Sequence, residues 1–426
     1  MRFPIKLSIA LLCVPGVLAA QDVAIRNATL ITIANGDINA GNIIVRGGKI
    51  TAVAANAVIP AGMRVIDGTG KFVMPGIIDA HSHAALEGGI NEGAESVTPE
   101  VQVQVKNDDP VIYRALAGGV TSALLLHGSA NTIGGQSRVI KMRWGAPVDS
   151  MYFKGAFRIV KFALGENVTR ASATTPEDQR RFPMSRMGVE FTVNYWFQLA
   201  KEYDEEWKAY RASVKSTPNA IMPRRDLRLE ALADILHGDL KVHSHSYRGD
   251  EILMLIRVAE ENGFKVHTFQ HVLEGYKVAD EIAKHGAMAS TFADMWAYKA
   301  EAWDAIPFNM ALMSERGVTV SVNSDSDERI RRLYQEAGVG VRYGNMSVNE
   351  ALKMVTLNPA KQLGIDKMVG TLETGKDGDI AVFSAHPFAP NAMVEYTLVD
   401  GKVLFDRSEA NTLRKQATAQ TPGGTR

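Results

Sequence analysis

Short runs in which apolar and polar residues alternate occupy both ends of the chain. From Asp22 to Val73 the alternation is broken by Asn-Gly, Gly-Gly and Gly-Thr-Gly, and a similar pattern returns in VGTLETGKDGDIAVF and VEYTLVDGKVLF. A period of two interrupted by such turns is typical of β-hairpins. We therefore predict a small β-sandwich module built from residues 21–75 and 366–406, followed by a polar tail over 407–426.

The middle of the chain repeats a helical pattern that stops at a glycine and is followed by a short apolar run. Gly238, Gly263, Gly286 and Gly317 each occupy this position. Glycine is favoured there because it adopts the left-handed conformation that ends a helix. Repeated helix–glycine–strand units predict a parallel sheet with helical crossovers, and residues 76–365 have room for eight of them. The predicted fold class is therefore α/β, with a (β/α)8 TIM barrel favoured over an open doubly wound sheet.

The first twenty residues form a separate segment. Two basic residues precede an apolar run from Leu7 to Leu18, and two alanines end it. This order is typical of a secretory signal peptide, and the run is short for a membrane span. We predict a signal peptide over 1–20, a secreted or periplasmic location, and no stable membrane insertion after its removal. Because Cys13 is the only cysteine, the mature chain has neither disulfides nor cysteine-ligated zinc.

Charge and composition narrow the range of partners. Lys and Arg together number 47, as do Asp and Glu, so the formal net charge is zero. No basic stripe appears along the chain, which argues against nucleic acid as a partner. The oligomeric state stays open, with a homo-oligomer among the possibilities.

Residues that bind metals or move protons are concentrated where the predicted strands end. The motifs are His81 and His83 in PGIIDAHSH, Lys161 in IVKFALGEN, His243 and His245 in VHSHS, His271 in VHTFQH, and Asp325 in NSDSD. The carboxyl ends of the strands carry the chemistry of a TIM barrel. Neutral imidazoles and carboxylates suit Zn²⁺, and less selectively Mn²⁺, Co²⁺ or Fe²⁺. Five such strand ends together predict a metal site.

With these motifs the chain resembles the amidohydrolase superfamily, in the branch of imidazolonepropionase-like proteins and Xaa-Pro dipeptidases. The resemblance also covers TLNPAKQLGI and the stretch VGTLETGKDGDIAVF, and it extends from about Asp22 to about Phe405. It implies a small-molecule or short-peptide substrate. The motif set is specific for the superfamily and much less specific for a substrate.

The resemblance also implies a ligand set for two divalent metal ions, with zinc favoured. The implied ligands are His81, His83 and Asp325 for the first ion, His243 and His271 for the second, and Lys161 as a bridge after its amine is carboxylated by CO2. Glu166 is the alternative bridging ligand, because some relatives use a glutamate. Lys161 is favoured because it lies inside its strand, whereas Glu166 follows Gly165.

The implied reaction is metal-dependent hydrolysis of a C–N bond in a small peptide or a cyclic amide. A hydroxide shared by the two metals attacks the substrate carbonyl, and Asp325 acts as general base and then protonates the leaving group. A dipeptidase activity is the most specific expectation. The alternative is a mononuclear deaminase or imidazolone-type hydrolase, and a non-catalytic scaffold on the same barrel is a remote third.

Further residues near these strand ends are candidates for substrate contact or for support of the ligands. His243 and His245 share a strand face, so either can be the ligand; the resemblance favours His243. For Arg248 the competing interpretation is a solvated arginine. For the loop that carries His127 and Gln136 it is a plain connecting loop. The candidate substrate contacts are His245, Tyr247, Arg248, His127 and Gln136. Asp79 and Asp327 are expected to orient histidines, and the insertion over 169–226 is expected to cover the mouth.

Overall fold

The structure is a computed structural model of the chain. It describes residues 22–88, 91–169, 177, 180–217 and 219–420. The predicted signal peptide over 1–20 lies outside the described residues. Among the helices that the structure describes, none has the length and apolar character needed to cross a bilayer.

The described part of the chain contains two large sheets and a series of α-helices. The strands are β1 (Val23–Ile31), β2 (Asp37–Arg46), β3 (Lys49–Ala54), β4 (Arg64–Asp67), β5 (Phe72–Pro75), β6 (Ile77–Ser82), β7 (Val120–Leu125), β8 (Ile133–Lys141), β9 (Arg158–Ala163), β10 (Leu240–Ser246), β11 (Val266–His271), β12 (Met288–Thr291), β13 (Val320–Val322), β14 (Ile380–Phe383), β15 (Val394–Val399) and β16 (Lys402–Asp406). The helices are α1 (Pro110–Ala117), α2 (Val148–Met151), α3 (Glu166–Thr169), α4 (Arg186–Ser213), α5 (Leu227–Leu236), α6 (Gly249–Asn262), α7 (Ala279–His285), α8 (Asn309–Glu315), α9 (Leu333–Gly344), α10 (Val348–Lys353), α11 (Leu357–Leu363) and α12 (Arg407–Gln420).

Strands from both ends of the chain share the first sheet. Its order is β16-β15-β14-β5-β1-β2-β3, with β4 also paired to β1. The two ends meet where β5 pairs antiparallel with β14, which places Val73 opposite Val382. Both side chains are fully buried in the apolar core of this sheet. The predicted module built from both ends is therefore present. Residues 407–420 of the predicted tail form α12, whose side chains over 407–414 are largely exposed.

The second sheet is a nearly closed barrel of eight strands in the order β6 to β13. At the seam between β13 and β6, the short segment between α10 and α11 accepts hydrogen bonds from both strands. Val322 N–H donates to Met354 O, and Ile78 N–H donates to Val355 O. Helices such as α6 end at a glycine, here Gly263 with φ 80°, and lead into the next strand. The TIM-barrel prediction is confirmed.

One strand departs from the predicted parallel arrangement. Strand β8 runs antiparallel to both neighbours, with Val139 opposite Leu124 on β7 and Gln136 opposite Val160 on β9. Residues 126–132 are all that connect β7 to β8. A parallel return requires a crossover of about a dozen residues or more, so this short loop makes the chain reverse direction.

Helix α4, the longest element of the insertion over 169–226, packs on the side of the barrel. Its Phe197 ring stacks 4.1 Å from the Phe264 ring and lies 6.3 Å from the Phe162 ring. The middle of the helix therefore lies on the barrel wall, while its first residue, Arg186, pairs with Glu301 in the loop after β12. The segment before α4 does reach the loops at the mouth, because Arg181 donates a hydrogen bond of 2.9 Å to Ala130 O.

Candidate active site

Three of the predicted ligands meet where β6 ends and the chain leaves β13. His81, His83 and Asp325 each offer one ligand atom, and these atoms lie within 4.8 Å of one another. Asp325 Oδ1 lies 3.5 Å from His81 Nε2 and 3.1 Å from His83 Nε2. The backbone brings them together, because Asp325 N–H donates to His81 O at 3.1 Å. Two imidazoles and a carboxylate at this spacing are a donor set suited to a divalent transition metal.

Lys161 lies inside this group rather than on the surface. Its side chain is fully buried on β9, and Nζ lies 3.0 Å from His81 Nε2. Burial lowers the pKa of Lys161 to about 7, because an ammonium ion loses its hydration there. The amine is therefore readily available in its neutral form.

His245 and His271 complete the cluster from β10 and β11. Their ring centroids lie 4.6 Å apart, and the His271 ring lies 4.5 Å from the His81 ring. Burial lowers the pKa of all three imidazoles well below the usual value, so they are neutral and able to act as ligands.

Several ring nitrogens in this cluster are buried without a hydrogen bond. Among the described residues no hydrogen-bond partner exists for His81 Nδ1, His245 Nε2 or either nitrogen of His271, and the same holds for Nε2 of the neighbouring His243. Buried polar atoms in folded proteins are nearly always hydrogen-bonded or bound to a metal. The unpaired nitrogens therefore fit the metal centre that the sequence predicts.

His243 has a different environment, although it is as fully buried as His245. Its Nδ1 lies 2.9 Å from Gln270 Nε2, and its ring stacks 5.7 Å from the His267 ring. The Gln270 amide nitrogen also donates to Ala80 O, which fixes the orientation of this amide. Because an amide nitrogen only donates, Nδ1 of neutral His243 accepts and its proton is on Nε2. That tautomer offers no lone pair at Nε2 for a metal.

Asp79 supports the site through the backbone rather than through a histidine ring. Its carboxylate accepts hydrogen bonds from His81 N at 3.2 Å, from Ser324 N at 3.1 Å and from the Ser324 hydroxyl. It thereby joins the end of β6 to the segment that carries Asp325. Burial raises the pKa of Asp79 to about 7. Asp327, the other expected support, has no hydrogen bond to a histidine among the described residues.

A pair of tyrosines and a lysine form one rim of the site. The Tyr247 ring lies 4.6 Å from the His245 ring, and its hydroxyl is hydrogen-bonded to that of Tyr298. Lys299 Nζ lies 4.2 Å from the Tyr247 ring centroid and 2.7 Å from Glu301 Oε1. Sequence reasoning found Tyr247 but missed Tyr298 and Lys299, which belong to no motif. Their only signal is their place in the loop after a barrel strand.

Two predicted substrate contacts lie outside the cluster and are engaged elsewhere. Arg248 pairs with Asp250 at the start of α6, and the two are joined by hydrogen bonds of 2.9 and 2.7 Å. Gln136 donates to Pro99 O at 2.9 Å and accepts from Gln102. The reversed direction of β8 was not foreseen, so its side chains could not be placed correctly from the sequence.

Glu166 and His127 also lie apart from the six clustered side chains. The Glu166 carboxylate is 42% exposed, and its nearest cation is Lys299 at 3.9 Å. His127 is buried against β8, where a Cβ added to Gly135 would lie 2.2 Å from its Nε2. The structure thus leaves Lys161 as the potential bridging residue inside the cluster.

Comparison with known sequences agrees with this geometry. The sequence model described as "Amidohydrolase family" matches residues 72–404. The chain belongs to the amidohydrolase family. The predicted family is confirmed, and the protein is accordingly a hydrolase with candidate metal-binding residues at the mouth of its barrel.

Three similar proteins show how far this likeness extends. An amidohydrolase from Thermotoga maritima MSB8, known from a crystal structure, is 32% identical; the match covers 90% of this chain and all of that one, with a TM-score of 0.82. Amidohydrolase tasK of Hapsidospora irregularis is 29% identical over 86% of this chain, which spans only 40% of that protein's length. Imidazolonepropionase of Thermoplasma acidophilum is 21% identical over 86% of this chain and 90% of that protein.

Proposed function

We propose that this amidohydrolase uses two divalent metal ions to hydrolyse a C–N bond of a small peptide or a cyclic amide. The observation that supports it is the group of buried imidazole nitrogens without partners beside Lys161 and Asp325. Zinc is the favoured ion because the donors are imidazoles and carboxylates.

The proposed ligand set differs from the predicted one at a single position. His81, His83 and Asp325 hold one ion, and His245 and His271 hold the other. His245 replaces His243 because its ring contacts that of His271, whereas Nδ1 of His243 accepts a hydrogen bond from Gln270, which places the proton on Nε2. The histidines supply neutral donors and Asp325 supplies a charged one.

Lys161 is the proposed bridge between the two ions, after carboxylation of its amine. In this step the neutral nitrogen forms a bond to the carbon of CO2 and loses a proton, which gives an anionic carbamate. The full burial of Lys161 and its distance of 3.0 Å from His81 support this assignment. A neutral amine offers only one lone pair and an ammonium ion offers none, so neither can bridge two ions, whereas the carbamate offers two oxygens.

Bound divalent ions would supply a water molecule whose pKa is lowered to about 7, and would polarise the substrate carbonyl. The chain's own part in the reaction centres on Asp325. Its carboxylate, whose Oδ1 lies within 3.5 Å of His81 and His83 and would bind the metal, has a second oxygen that accepts the proton of the attacking water. It then delivers this proton to the leaving nitrogen, because amine anions leave poorly.

Tyr247 and Tyr298 bind the substrate at the rim in this proposal. Their hydroxyls share one hydrogen bond, so one phenolic hydrogen of the pair is left for a substrate oxygen. Burial raises the pKa of Tyr298 to about 12, with a further contribution from the negative charge of Asp325. Burial also raises the pKa of Tyr247, so both phenols stay protonated at neutral pH and serve as donors.

A mononuclear reaction is the second candidate, and one observation favours it. His81, His83 and Asp325 form a compact set of three ligand atoms without help from the other strands. Imidazolonepropionases are among the similar proteins. In this alternative the bond cleaved is the amide of a five-membered ring, and Lys161 has no bridging role.

The number of metal ions per chain separates the two candidates. The full chain, purified without chelators and with bicarbonate, is expected to hold two ions, and Lys161→Ala is expected to hold one. Glu166→Ala is the matched control and is expected to keep two. Hydrolysis is then assayed against dipeptides and cyclic amides. A wild-type value of one would favour the mononuclear reaction, and no metal after reconstitution would exclude both.

A further inference from the structure

The loop between β7 and β8, residues 126–132, contacts two ligand histidines on strands that are not neighbours. Leu126 O lies 2.9 Å from Nδ1 of His83, which directly follows β6. The Ser129 hydroxyl oxygen lies 2.8 Å from Nδ1 of His245 on β10. No motif pointed to this loop as a support for the metal site.

The contact to His83 defines which nitrogen of that ring can bind a metal. A carbonyl oxygen only accepts, so Nδ1 of His83 carries the hydrogen and Nε2 keeps its lone pair. That lone pair is directed to the group containing Asp325, whose Oδ1 lies 3.1 Å away. Histidine ligands commonly donate through their other nitrogen in this way.

The contact to His245 repeats this arrangement with a side chain. Nδ1 of His245 faces the Ser129 hydroxyl, while its Nε2 is buried and lacks a partner among the described residues. When the hydroxyl accepts from Nδ1–H, Nε2 keeps its lone pair for a metal. His243 has the opposite arrangement, since its Nδ1 accepts from Gln270.

We propose that Ser129 is a positioning residue that holds His245 with Nδ1 protonated and Nε2 directed at the second metal ion. This inference rests on the proposed binuclear site. Ser129 touches neither the substrate nor a metal, and acts through the ring of His245.

The backbone around Ser129 is held in place, which makes its hydroxyl an effective support. Ala130 N–H donates to Asn91 Oδ1 at 3.0 Å, and Ala130 O accepts from Arg181 at 2.9 Å. Arg181 also donates to Asn131 Oδ1 at 3.2 Å. Less conformational entropy is then lost when the hydroxyl meets His245.

The test is a titration of the metal-free full chain with Co²⁺, followed by visible absorption and by metal analysis. Ser129→Ala is expected to bind the first ion as the wild type does and the second about 10- to 100-fold more weakly. Ser129→Thr keeps a hydroxyl and is expected to restore the second affinity. Ser96→Ala is the matched control, because Ser96 bonds to Thr132 of the same loop at 3.0 Å and contacts no ligand histidine.

A second measurement reads the histidine directly. Long-range ¹H–¹⁵N NMR spectra of the zinc-loaded chain are expected to show His245 protonated at Nδ1, and Ser129→Ala is expected to alter that signal. In a His245→Asn background, Ser129→Ala should weaken the metal binding no further. If the wild type and Ser129→Ala bind the second ion with equal affinity, the role proposed for Ser129 is wrong, but the binuclear proposal still stands. A wild type that never binds a second ion would overturn the binuclear proposal, and this inference with it.

Discussion

Two strands of this barrel carry the same His-x-His spacing, and they use it differently. At the end of β6 both histidines, His81 and His83, lie within reach of Asp325. On β10 only His245 joins the cluster, while His243 is engaged by Gln270. The spacing places two side chains on one strand face, but it does not decide which nitrogen is free. The neighbouring strands decide that, through the hydrogen bonds they offer to each ring.

The largest expected effect distinguishes the two histidines of β10. His245→Asn removes a proposed ligand, so we expect loss of the second metal ion and a fall in turnover of at least about 100-fold. His243→Asn, made in parallel, is expected to retain both ions. Metal analysis and steady-state kinetics on the two variants check this. Loss of the second ion in His243→Asn alone would reverse the assignment.

His243→Asn is instead expected to affect stability. The change removes a buried ring from its stack with His267 and leaves a smaller side chain in its place, which costs about 1–3 kcal/mol of the free energy of unfolding. Urea denaturation of the metal-free chain measures this difference. An unchanged denaturation midpoint, together with altered metal content, would show that His243 acts at the metal centre after all.

Whether a ligand could be predicted from the sequence depends on how far apart along the chain its contacts lie. The β6 pair was found because an apolar run ends at His81 and the strand period places His83 on the same face. The choice between His243 and His245 is not predictable in this way, because it depends on Gln270, which belongs to the next strand. Patterns of period two or 3.6 describe an element and are silent about hydrogen bonds between elements.

The direction of β8 and the rim of the site show the same limit. The turn after β7 contains LHGSANT, which is compatible with a tight reversal or with the start of a crossover. Its composition does not show where the next strand begins, so the length of the loop is not evident from the sequence. Tyr298 and Lys299 lie in a loop without periodicity, so nothing marked them. The fold class, by contrast, follows from many repeated local signals, such as the glycines at helix ends.

A smaller effect is expected at the rim, where His245 has an aromatic neighbour. Tyr247→Phe keeps the ring against His245 but removes a hydroxyl from the phenol pair. We expect KM to rise about 3- to 10-fold, because one hydrogen bond contributes about 0.5–1.5 kcal/mol, with unchanged metal content. Tyr298→Phe is the matched variant and should behave alike. A change in metal content would instead place Tyr247 in support of the ligands.

The smallest effect is expected at Arg248, which follows the two histidines of β10 in the sequence. Arg248→Ala breaks an exposed ion pair with Asp250, and such pairs contribute about 0–1 kcal/mol. We expect kcat and KM within about twofold of the wild type and a correspondingly small change in stability. Kinetics with substrates that do and do not carry a carboxylate check this. A loss restricted to the carboxylate-bearing substrates would restore Arg248 as a clamp.

The hydrogen bonds between Asp79 and Ser324 have a consequence for the order in which the protein folds. They join positions separated by 245 residues, and the same junction brings His81 to Asp325. Closing so long a stretch of chain carries an entropic cost that early, local contacts do not offset. During synthesis β6 is therefore expected to lack this junction until the segment after β13 has been made, so the proposed ligands His81 and Asp325 cannot meet on a partial chain. Metal binding by these two residues would then report that the barrel has closed.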